Sequence, residues 1–305
     1  MNKILFLVFM FAITVTASAQ GQGDKKKQMF GDPNHFEIGV AVSEMTDSRL
    51  DETSGIAASI KNPGYLWAHN DSGNAPEIYL VDKNLKIVFT AKLKGVFNRD
   101  WEDMAVGPGP EAGKSYIYVA DIGDNLGIFP TKVIYRFEEP AIDTVKKLVE
   151  IKEMKRIIFK LPKYQTKDSE AMLLDPISKN LYILSKEDSA KLFEIKYPYN
   201  IESDPKRDTV VAEDLGAYNL PKVTSGAVAI SGEEILVRNY RRIWYWKNPE
   251  KKPLSEILKI KPIMIPYDME PQGEAISWAQ NGTGFYTLSE KKKDKKSFLY
   301  FYKRK

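Results

Sequence analysis

The chain repeats one short pattern five times, and this repetition constrains its fold more than any other feature. Each copy has a small or acidic residue, a small residue, an apolar run, a turn and a second apolar run, and the copies begin at Ser54, Glu102, Glu170, Ser225 and Glu274. The same spacing, 15 residues by subtraction, separates Ser54 from His69, Glu170 from Ser185, and Glu274 from Ser289. A constant spacing of this kind indicates one β-hairpin that is reused along the chain.

Further strand-like runs extend each hairpin toward four strands. A third run follows every copy, and a fourth run follows four of them, at residues 87–89, 156–159, 209–211 and 257–265. The last copy lacks a fourth run, but a strand predicted at residues 36–42 precedes the first copy and can complete the last sheet. We therefore predict an all-β fold, a β-propeller of four-stranded antiparallel blades closed by pairing of the N-terminal strand with the last blade.

The repeat count predicts five blades. The interval from Glu102 to Glu170 is 68 residues by subtraction, longer than the other intervals, and it leaves room for a sixth blade. We expect instead an elaborated second blade, with its extra length in the charged segment 143–155. A β-sandwich also contains many short strands, but it does not predict the common spacing of the copies.

The N-terminal residues predict an exported protein. Residues 1–19 have the charged start, apolar centre and Ala-x-Ala end of a signal peptide. Residues 20–34 are predicted to form a flexible mature N-terminus, and residues 35–305 a single propeller domain. The chain has no cysteine, which excludes a lipoprotein anchor, disulfide bonds and thiolate metal sites. We expect a periplasmic or extracellular monomer.

Charge and hydropathy exclude two classes of partner. The formal net charge is only +4, which argues against a nucleic-acid partner. After the signal peptide, no apolar run is long enough for a membrane helix, so membrane insertion is not expected. The predicted partner is a small polar or anionic ligand, or an extracellular protein or glycan.

Charged turns fall on one face of the predicted propeller. In a four-stranded blade, the turn entering the first strand and the turn between the second and third strands lie on the same face, because successive strands run antiparallel. That face takes the turns around Arg99–Asp103 and His69–Asp71, whereas the opposite face takes weakly charged turns such as residues 61–64. One mouth of the central channel is therefore predicted to be acidic.

Carboxylates that converge on a channel axis repel each other unless they are protonated or bridged by a cation, and oxygen ligands suit Ca²⁺. The candidate metal ligands are Glu102, Glu170, Glu274 and Asp121. In the alternative interpretation, each glutamate accepts hydrogen bonds from backbone N–H groups of the neighbouring blade and so holds the blades together. The sequence leaves both interpretations open.

Other polar residues of the same turns are candidates for catalysis or ligand binding. His69 and Asp103 are the candidate proton-transfer residues, although a hydrogen-bonded imidazole in an ordinary turn also accounts for His69. Trp101 lies in a turn toward the mouth, where an aromatic ring can flank a ligand. The candidate ligand-binding residues are Asn70, Asp71, Arg99, Trp101, Lys186, Arg238 and Asn239.

Several segments resemble a group of exported bacterial propellers. The segments SGIAAS, LWAHNDSGN, NRDWEDMAV, YVADIGDN and VIYRFEEP are similar to the SdiA-regulated and esterase-like phytase propeller families, with the resemblance most specific over residues 52–140. It implies a propeller with an acidic channel, and in the phytase relatives calcium held by such carboxylates binds substrate phosphate. This chain departs from that pattern at Ser54 and Ser225, where serine replaces the glutamate.

Three functions fit these observations. The first is a binding module whose acidic mouth holds a divalent cation and a small polar ligand or an extracellular partner. The second is a hydrolase, either a calcium-dependent phosphoesterase or a lactonase-like enzyme, with His69 or Asp103 as the base and Arg238 or Lys186 orienting an anion. The third is a surface scaffold without catalysis.

Overall fold

The computed structural model describes residues 31–199 and 209–305. The predicted signal peptide, residues 1–19, and most of the predicted flexible segment, residues 20–34, lie outside the described residues. Within the described parts of the chain, no helix is long and apolar enough to cross a membrane.

The described residues are almost entirely strands and turns. Helical structure is limited to two 3-10 turns, Ser48–Leu50 and Pro162–Tyr164, and one short helix, α1 (Leu254–Ile257). The strands are β1 (Val40–Glu44), β2 (Thr53–Ala58), β3 (Leu66–Asn70), β4 (Glu77–Val81), β5 (Ile87–Leu93), β6 (Trp101–Pro108), β7 (Ser115–Asp121), β8 (Lys132–Glu138), β9 (Leu148–Ile151), β10 (Lys155–Lys160), β11 (Ser169–Leu174), β12 (Leu181–Ser185), β13 (Ala190–Ile195), β14 (Val210–Val211), β15 (Glu213–Tyr218), β16 (Val223–Val228), β17 (Glu234–Asn239), β18 (Ile243–Lys247), β19 (Ile263–Ile265), β20 (Gly273–Trp278), β21 (Gly284–Ser289) and β22 (Phe298–Lys303).

Five sheets form a ring, and the prediction of a five-bladed β-propeller is confirmed. From the channel outward, the strand orders are β2-β3-β4-β5-β9 in blade 1, β6-β7-β8-β10-β14 in blade 2, β11-β12-β13-β15 in blade 3, β16-β17-β18-β19 in blade 4 and β20-β21-β22-β1 in blade 5. The innermost strands of neighbouring blades contact each other around the channel. The last blade is closed as predicted, since β1 pairs antiparallel with β22 and Phe36 forms a β-bridge with Arg304.

The outer strands differ from the prediction in three places, and in blade 4 the predicted run 257–265 is a strand only at Ile263–Ile265. Val210–Val211 forms a fifth strand of blade 2, parallel to β10, while the fourth strand of blade 3 is Glu213–Tyr218. The charged segment 143–155 was predicted to elaborate blade 2, but its strand Leu148–Ile151 is instead a parallel fifth strand of blade 1. These differences arise because an outer strand forms wherever a free sheet edge offers hydrogen-bond partners, whether or not its sequence has an apolar pattern.

All five innermost strands carry a β-bulge at the same position. In β6, Trp101 pairs with Asp121 and Asp103 pairs with Ala120, so Glu102 is the extra residue. The equivalent extra residues are Ser54, Glu102, Glu170, Thr224 and Glu274. The repeat aligned Ser225 with the glutamates, whereas the pairing gives that position to Thr224. A bulge re-aims one side chain of a strand, and here it does so at one end of the channel in every blade.

The bulge residues divide into two kinds. Ser54 Oγ donates a hydrogen bond to the carbonyl of Glu102 at 2.9 Å, and Thr224 Oγ1 donates to the carbonyl of Gly273 at 3.0 Å. These two hydroxyls therefore join blade 1 to blade 2 and blade 4 to blade 5. The remaining three bulge residues are glutamates, and they place carboxylates at this mouth of the channel.

Candidate metal centre

Five carboxylates from three blades meet at the acidic mouth. One group consists of Asp71, Asp100 and Glu102, and a second consists of Glu102, Asp168 and Glu170; within each group the candidate ligand atoms lie within 4.8 Å of one another. Two oxygens bound to one Ca²⁺ at about 2.4 Å lie no more than about 5 Å apart. Each group is therefore compact enough to share one cation, and Glu102 belongs to both.

The strand ends bring these carboxylates together. Asp71 directly follows β3, and Asp100 and Asp168 directly precede β6 and β11. Glu102 and Glu170 are the bulge residues of β6 and β11. All of these positions lie on the face predicted from the antiparallel order of the strands.

Glu102 is the most exceptional member of the cluster. It is only 4% exposed, and no described residue donates a hydrogen bond to its carboxylate. Burial raises its pKa well above the ordinary value, and Glu170, Asp71 and the other neighbouring carboxylates raise it further. The space around it is tight, because a Cβ added at Gly123 would overlap the carboxylates of Glu102 and Asp100. Burial and the neighbouring acids therefore disfavour the charged form of Glu102, and no described side chain offsets them.

The neighbouring acids show the same electrostatic crowding. Burial, followed by repulsion from Asp71 and Asp168, raises the pKa of Asp100 to about 6. Burial also raises the pKa of Asp71. Asp168 accepts one hydrogen bond, from the backbone N–H of Asp124 at 2.8 Å. A divalent cation would relieve this repulsion by binding the charged forms.

Lys186 lies at the edge of the cluster. Its Nζ is 2.5 Å from Glu170 Oε1, and it lies 5.3 Å from the ring centroid of Tyr240. Burial alone disfavours the ammonium, but Glu170 outweighs this effect and raises the pKa of Lys186. Burial raises the pKa of Glu170 despite the lysine. Lys186 therefore offsets one of the five carboxylates.

Glu274 lies on the same mouth but outside both groups. Its Oε1 accepts a hydrogen bond from Gln272 Nε2 at 3.2 Å, and Gln272 also donates to Glu290. Burial raises the pKa of Glu274, and burial followed by repulsion from Glu274 raises the pKa of Glu290 to about 8. The third predicted ligand is thus an acid of blade 5, separate from the five clustered carboxylates.

Asp121 and Arg99 pair with each other rather than contributing to the cluster. Arg99 Nε lies 3.1 Å from Asp121 Oδ1, and the guanidinium also donates to the carbonyls of Thr131 and Asp121. Tyr135 donates its hydroxyl to Asp121 at 3.3 Å. The structure therefore gives the predicted metal ligand Asp121 and the predicted ligand-binding residue Arg99 a structural role within blade 2.

Trp101 and His69 lie in the interior, beneath the mouth. Trp101 is fully buried in the core between blades 1 and 2, in edge contact with the ring of His69 at 5.9 Å between centroids. His69 is also fully buried, and its Nδ1 lies 3.0 Å from the carbonyl oxygen of Asn70. Because neither ring is exposed, the structure does not place Trp101 beside a ligand or His69 in contact with solvent.

Acid is expected to destabilise the protein through His69. Burial lowers its pKa from 6.5 to about 4, so between these values the unfolded chain binds a proton that the folded protein does not. The stability that His69 contributes is complete above about pH 6.5 and falls by up to about 3 kcal/mol as the pH decreases to about 4, whereas buried acids with raised pKa values act in the opposite direction. Urea unfolding across this range measures the loss. As the pH falls through this range, His69→Gln should become more stable relative to His35→Gln by up to the same amount, and equal slopes for the two variants would contradict the prediction.

Asp103 lies inside the channel and connects three blades. Its Oδ1 accepts hydrogen bonds from the Met104 N–H at 2.9 Å and the Ser225 hydroxyl at 3.0 Å. Its Oδ2 accepts from the N–H groups of Met172 at 2.9 Å and Gly226 at 3.2 Å. The interblade role that the alternative interpretation gave to the glutamates thus belongs to Asp103, and no described backbone N–H bonds Glu102, Glu170 or Glu274.

Arg238 is directed into the core between blades 4 and 5. It is 0% exposed and forms a buried ion pair with Glu270, with Nη1 3.2 Å from Oε2. It also donates to the carbonyl of Ala275 at 2.8 Å and to the hydroxyl of Tyr267 at 2.7 Å. Its predicted role of binding a ligand at the mouth is not supported by this placement.

Asn70 and Asn239 occupy equivalent positions at the ends of second strands and hold turns. Asn70 Nδ2 donates to the carbonyl of Arg49 at 2.7 Å, and Asn239 Nδ2 donates to the carbonyl of Pro221 at 2.7 Å. Both amides therefore have a structural partner in the chain. Of the predicted ligand-binding residues, only Asp71 and Lys186 reach the carboxylate cluster.

Two members of the cluster were not among the predicted site residues, Asp100 and Asp168. Each precedes a bulge glutamate by two positions, in the pattern Asp-x-Glu at Asp100–Glu102 and Asp168–Glu170. This recurrence was visible in the sequence. The structure explains this recurrence, because the bulge brings the two acids of each pair to the same site.

Comparison of the chain with protein-family models and with curated proteins gives no match. The resemblance to the SdiA-regulated and esterase-like phytase propellers therefore stays a prediction.

Proposed function

We propose that the protein is an exported binding module whose acidic mouth binds Ca²⁺ and, through the cation, a small polar or anionic ligand. The observation that carries this proposal is the Glu102 carboxylate, which is buried, receives no hydrogen bond from a described residue and belongs to both carboxylate groups. Burial and like-charge repulsion disfavour the charged forms of these carboxylates, and a cation at this position would stabilise the charged forms by binding them. Export is inferred from the signal-peptide pattern of residues 1–19.

The donor set favours a hard cation. All five clustered side chains offer carboxylate oxygens, the chain has no cysteine, and His69 is buried against backbone groups. Oxygen ligands alone are typical of Ca²⁺ and Mg²⁺, whereas sites for Zn²⁺ and Cu²⁺ use nitrogen or sulfur. Ca²⁺ tolerates an irregular arrangement of several carboxylates, while Mg²⁺ demands near-octahedral geometry and retains water. We therefore propose Ca²⁺ as the preferred ion.

The coordination positions that the carboxylates leave free on the cation indicate the kind of ligand that it can bind. Ca²⁺ takes 6–8 oxygen ligands, so three carboxylates leave positions for oxygens from solvent or from a bound molecule. Asp71 and Asp168 are only partly buried, which leaves the cluster open toward the mouth. Lys186, paired with Glu170 and 19% exposed, adds a cationic donor at the edge of the cluster. A small anion that bridges the cation and Lys186 is the ligand that this arrangement suits best.

A binding module fits the site better than a hydrolase. The two residues considered as bases, His69 and Asp103, are both 0% exposed and bonded to backbone groups. Neither belongs to the carboxylate groups. A general base must reach the proton it removes, either directly or through one water molecule.

Calcium is expected to raise the melting temperature of protein that has first been treated with a chelator. A ligand that binds only the folded state at 100 times its Kd contributes about 2.7 kcal/mol of stability, which is several degrees for a domain of this size. Glu102→Gln should remove the shift, because it affects both carboxylate groups while keeping the shape of the side chain. Differential scanning fluorimetry and titration calorimetry with CaCl₂ measure both effects.

The matched control is Glu153→Gln, which removes an exposed carboxylate far from the mouth and should leave the shift intact. Two results would refute the calcium proposal. One is the absence of any shift at millimolar CaCl₂, and the other is a shift that persists at full size in Glu102→Gln.

A further inference from the structure

A second cavity lies on the outer side of the ring, between blades 3 and 4, away from the acidic mouth. Its volume is about 560 Å³, within the range of about 300–1,000 Å³ that is typical of small-molecule sites. The apolar side chains that line it come from both blades and include Leu220, Trp244, Trp246, Leu258 and Met264. We call this cavity the outer groove.

Neighbouring clefts of the ring are filled by the chain itself. Between blades 1 and 2, the segment containing β9 contributes Val149, Ile151 and Met154 to the core, and between blades 2 and 3 the residues near β14 contribute Val210 and Ala212. Between blades 3 and 4, α1 supplies Leu254 and Ile257 beneath the groove but does not fill it. The outer groove is therefore a cleft with an apolar floor and vacant space above it.

The wall of the outer groove is held in place. Trp246 Nε1 donates a hydrogen bond to the carbonyl of Ile260 at 2.8 Å, which ties the segment after α1 to β18. Ile260 is 57% exposed on this segment, next to Lys259 and Lys261. A tied segment preserves the shape of the cavity between blades, as a preformed binding site requires.

The charged side chains that line the outer groove are all cationic. Its lining includes Arg242, Lys259 and Lys261 and contains no aspartate or glutamate. None of these three cations forms an ion pair with a described residue, whereas nearby Lys251 pairs with Glu233 at 3.4 Å. The groove therefore combines an apolar interior with uncompensated positive charge at its edge.

We propose that the outer groove binds a small anionic amphiphile, with its head group at Lys259 and Lys261 and its apolar chain along Trp246 and Trp244 toward Met264. Charge complementarity selects the anion, and apolar contact comes from the exposed Ile260 and from the edges of the two tryptophans, each 3% exposed. A sugar fits less well, because the Tyr218 hydroxyl in the lining already donates to the carbonyl of Ser255 at 2.9 Å. This binding is independent of calcium at the mouth.

Dodecanoate, used below its micelle concentration, is a suitable probe, with dodecylammonium as the charge-reversed analogue. The chain has five tryptophans, so protein labelled with 5-fluorotryptophan gives five fluorine signals by NMR. Dodecanoate should shift the signals of Trp244 and Trp246 saturably and leave those of Trp67 and Trp101 unchanged. Assignment requires only single Trp→Phe variants.

Charge reversal tests the head-group site. Lys259→Glu combined with Lys261→Glu should weaken dodecanoate binding at least tenfold, because both lysines are exposed and their replacement leaves the core intact. The matched control, Lys292→Glu combined with Lys293→Glu, makes the same change in net charge on exposed lysines of blade 5 and should retain the affinity. Equal weakening in both double variants, equal binding of dodecylammonium, or no saturable shift of Trp244 and Trp246 would overturn the proposal.

Discussion

Replacement of Glu270 by glutamine is expected to lower the free energy of unfolding by about 3–5 kcal/mol, as is typical when one partner of a buried ion pair is removed. Arg238 and Glu270 have side chains that are 0% and 1% exposed, so water cannot solvate the guanidinium that remains. Glutamine keeps the shape of the side chain and can still accept hydrogen bonds. The loss therefore reports the uncompensated charge rather than a cavity.

Urea unfolding measures the loss of stability, and two further variants test whether the uncompensated charge causes it. Arg238→Met combined with Glu270→Leu removes both charges and should recover a large part of the stability lost in Glu270→Gln. Glu37→Gln breaks an exposed pair with Lys303, whose side chains are 47% and 64% exposed, and should cost less than about 1 kcal/mol. A loss of similar size in Glu37→Gln and Glu270→Gln would contradict the argument.

The inner three strands of each blade were predictable from the sequence because burial determines their composition. Every residue of β11 and β12 is buried, for example, and so is every residue of β3. Such strands need apolar side chains on both faces, which gives the repeat its visible pattern. The same requirement recurs in every blade, so the blade count followed from the pattern.

The outer strands were less predictable because hydrogen bonding to a sheet edge, rather than burial, defines them. Glu213–Tyr218 contains a single buried residue, Tyr218, and its acidic start and internal glycine are not typical of a strand. Val210–Val211 has the composition of a strand, but its parallel partner β10 lies in the preceding blade. Composition alone cannot select between two available edges.

The part of the candidate site that was predictable from the sequence is the part set by equivalent positions in the blades. Glu102 and Glu170 occupy equivalent bulges, and the shared position indicated that their carboxylates meet at one mouth. Side chains that cross between blades were not predictable in this way. Arg238 and Glu270 are 32 residues apart and lie in adjacent blades, so their pairing depends on how two sheets pack, which the register within one blade does not describe.

The adjacent residues Glu102 and Asp103 are expected to respond in opposite ways to isosteric replacement. Asp103→Asn should lower the free energy of unfolding by about 2–6 kcal/mol. The new NH₂ group replaces one of the two acceptor oxygens, so the two donors that bonded this oxygen lose their acceptor, and each unsatisfied buried donor costs about 1–3 kcal/mol. With the amide nitrogen in the Oδ2 position, the N–H groups of Met172 and Gly226 lose their acceptor. In the other orientation, the donors from Met104 and Ser225 lose theirs.

Glu102→Gln, in contrast, should leave the calcium-free protein at least as stable as the wild type. No described donor bonds this carboxyl group, and the substitution removes an acid whose charged form is repelled by its four acidic neighbours. The two variants therefore distinguish a structural role from a role in calcium binding. Asp103→Asn should lower the free energy of unfolding, but the folded protein should keep its calcium affinity. Glu102→Gln should lose calcium affinity without losing stability. Urea unfolding in chelator and calorimetric titration of the folded proteins measure the two quantities. Equal destabilisation by both variants would show that Glu102 is a structural link between blades, like Asp103, and would remove the basis for a cation site at the mouth.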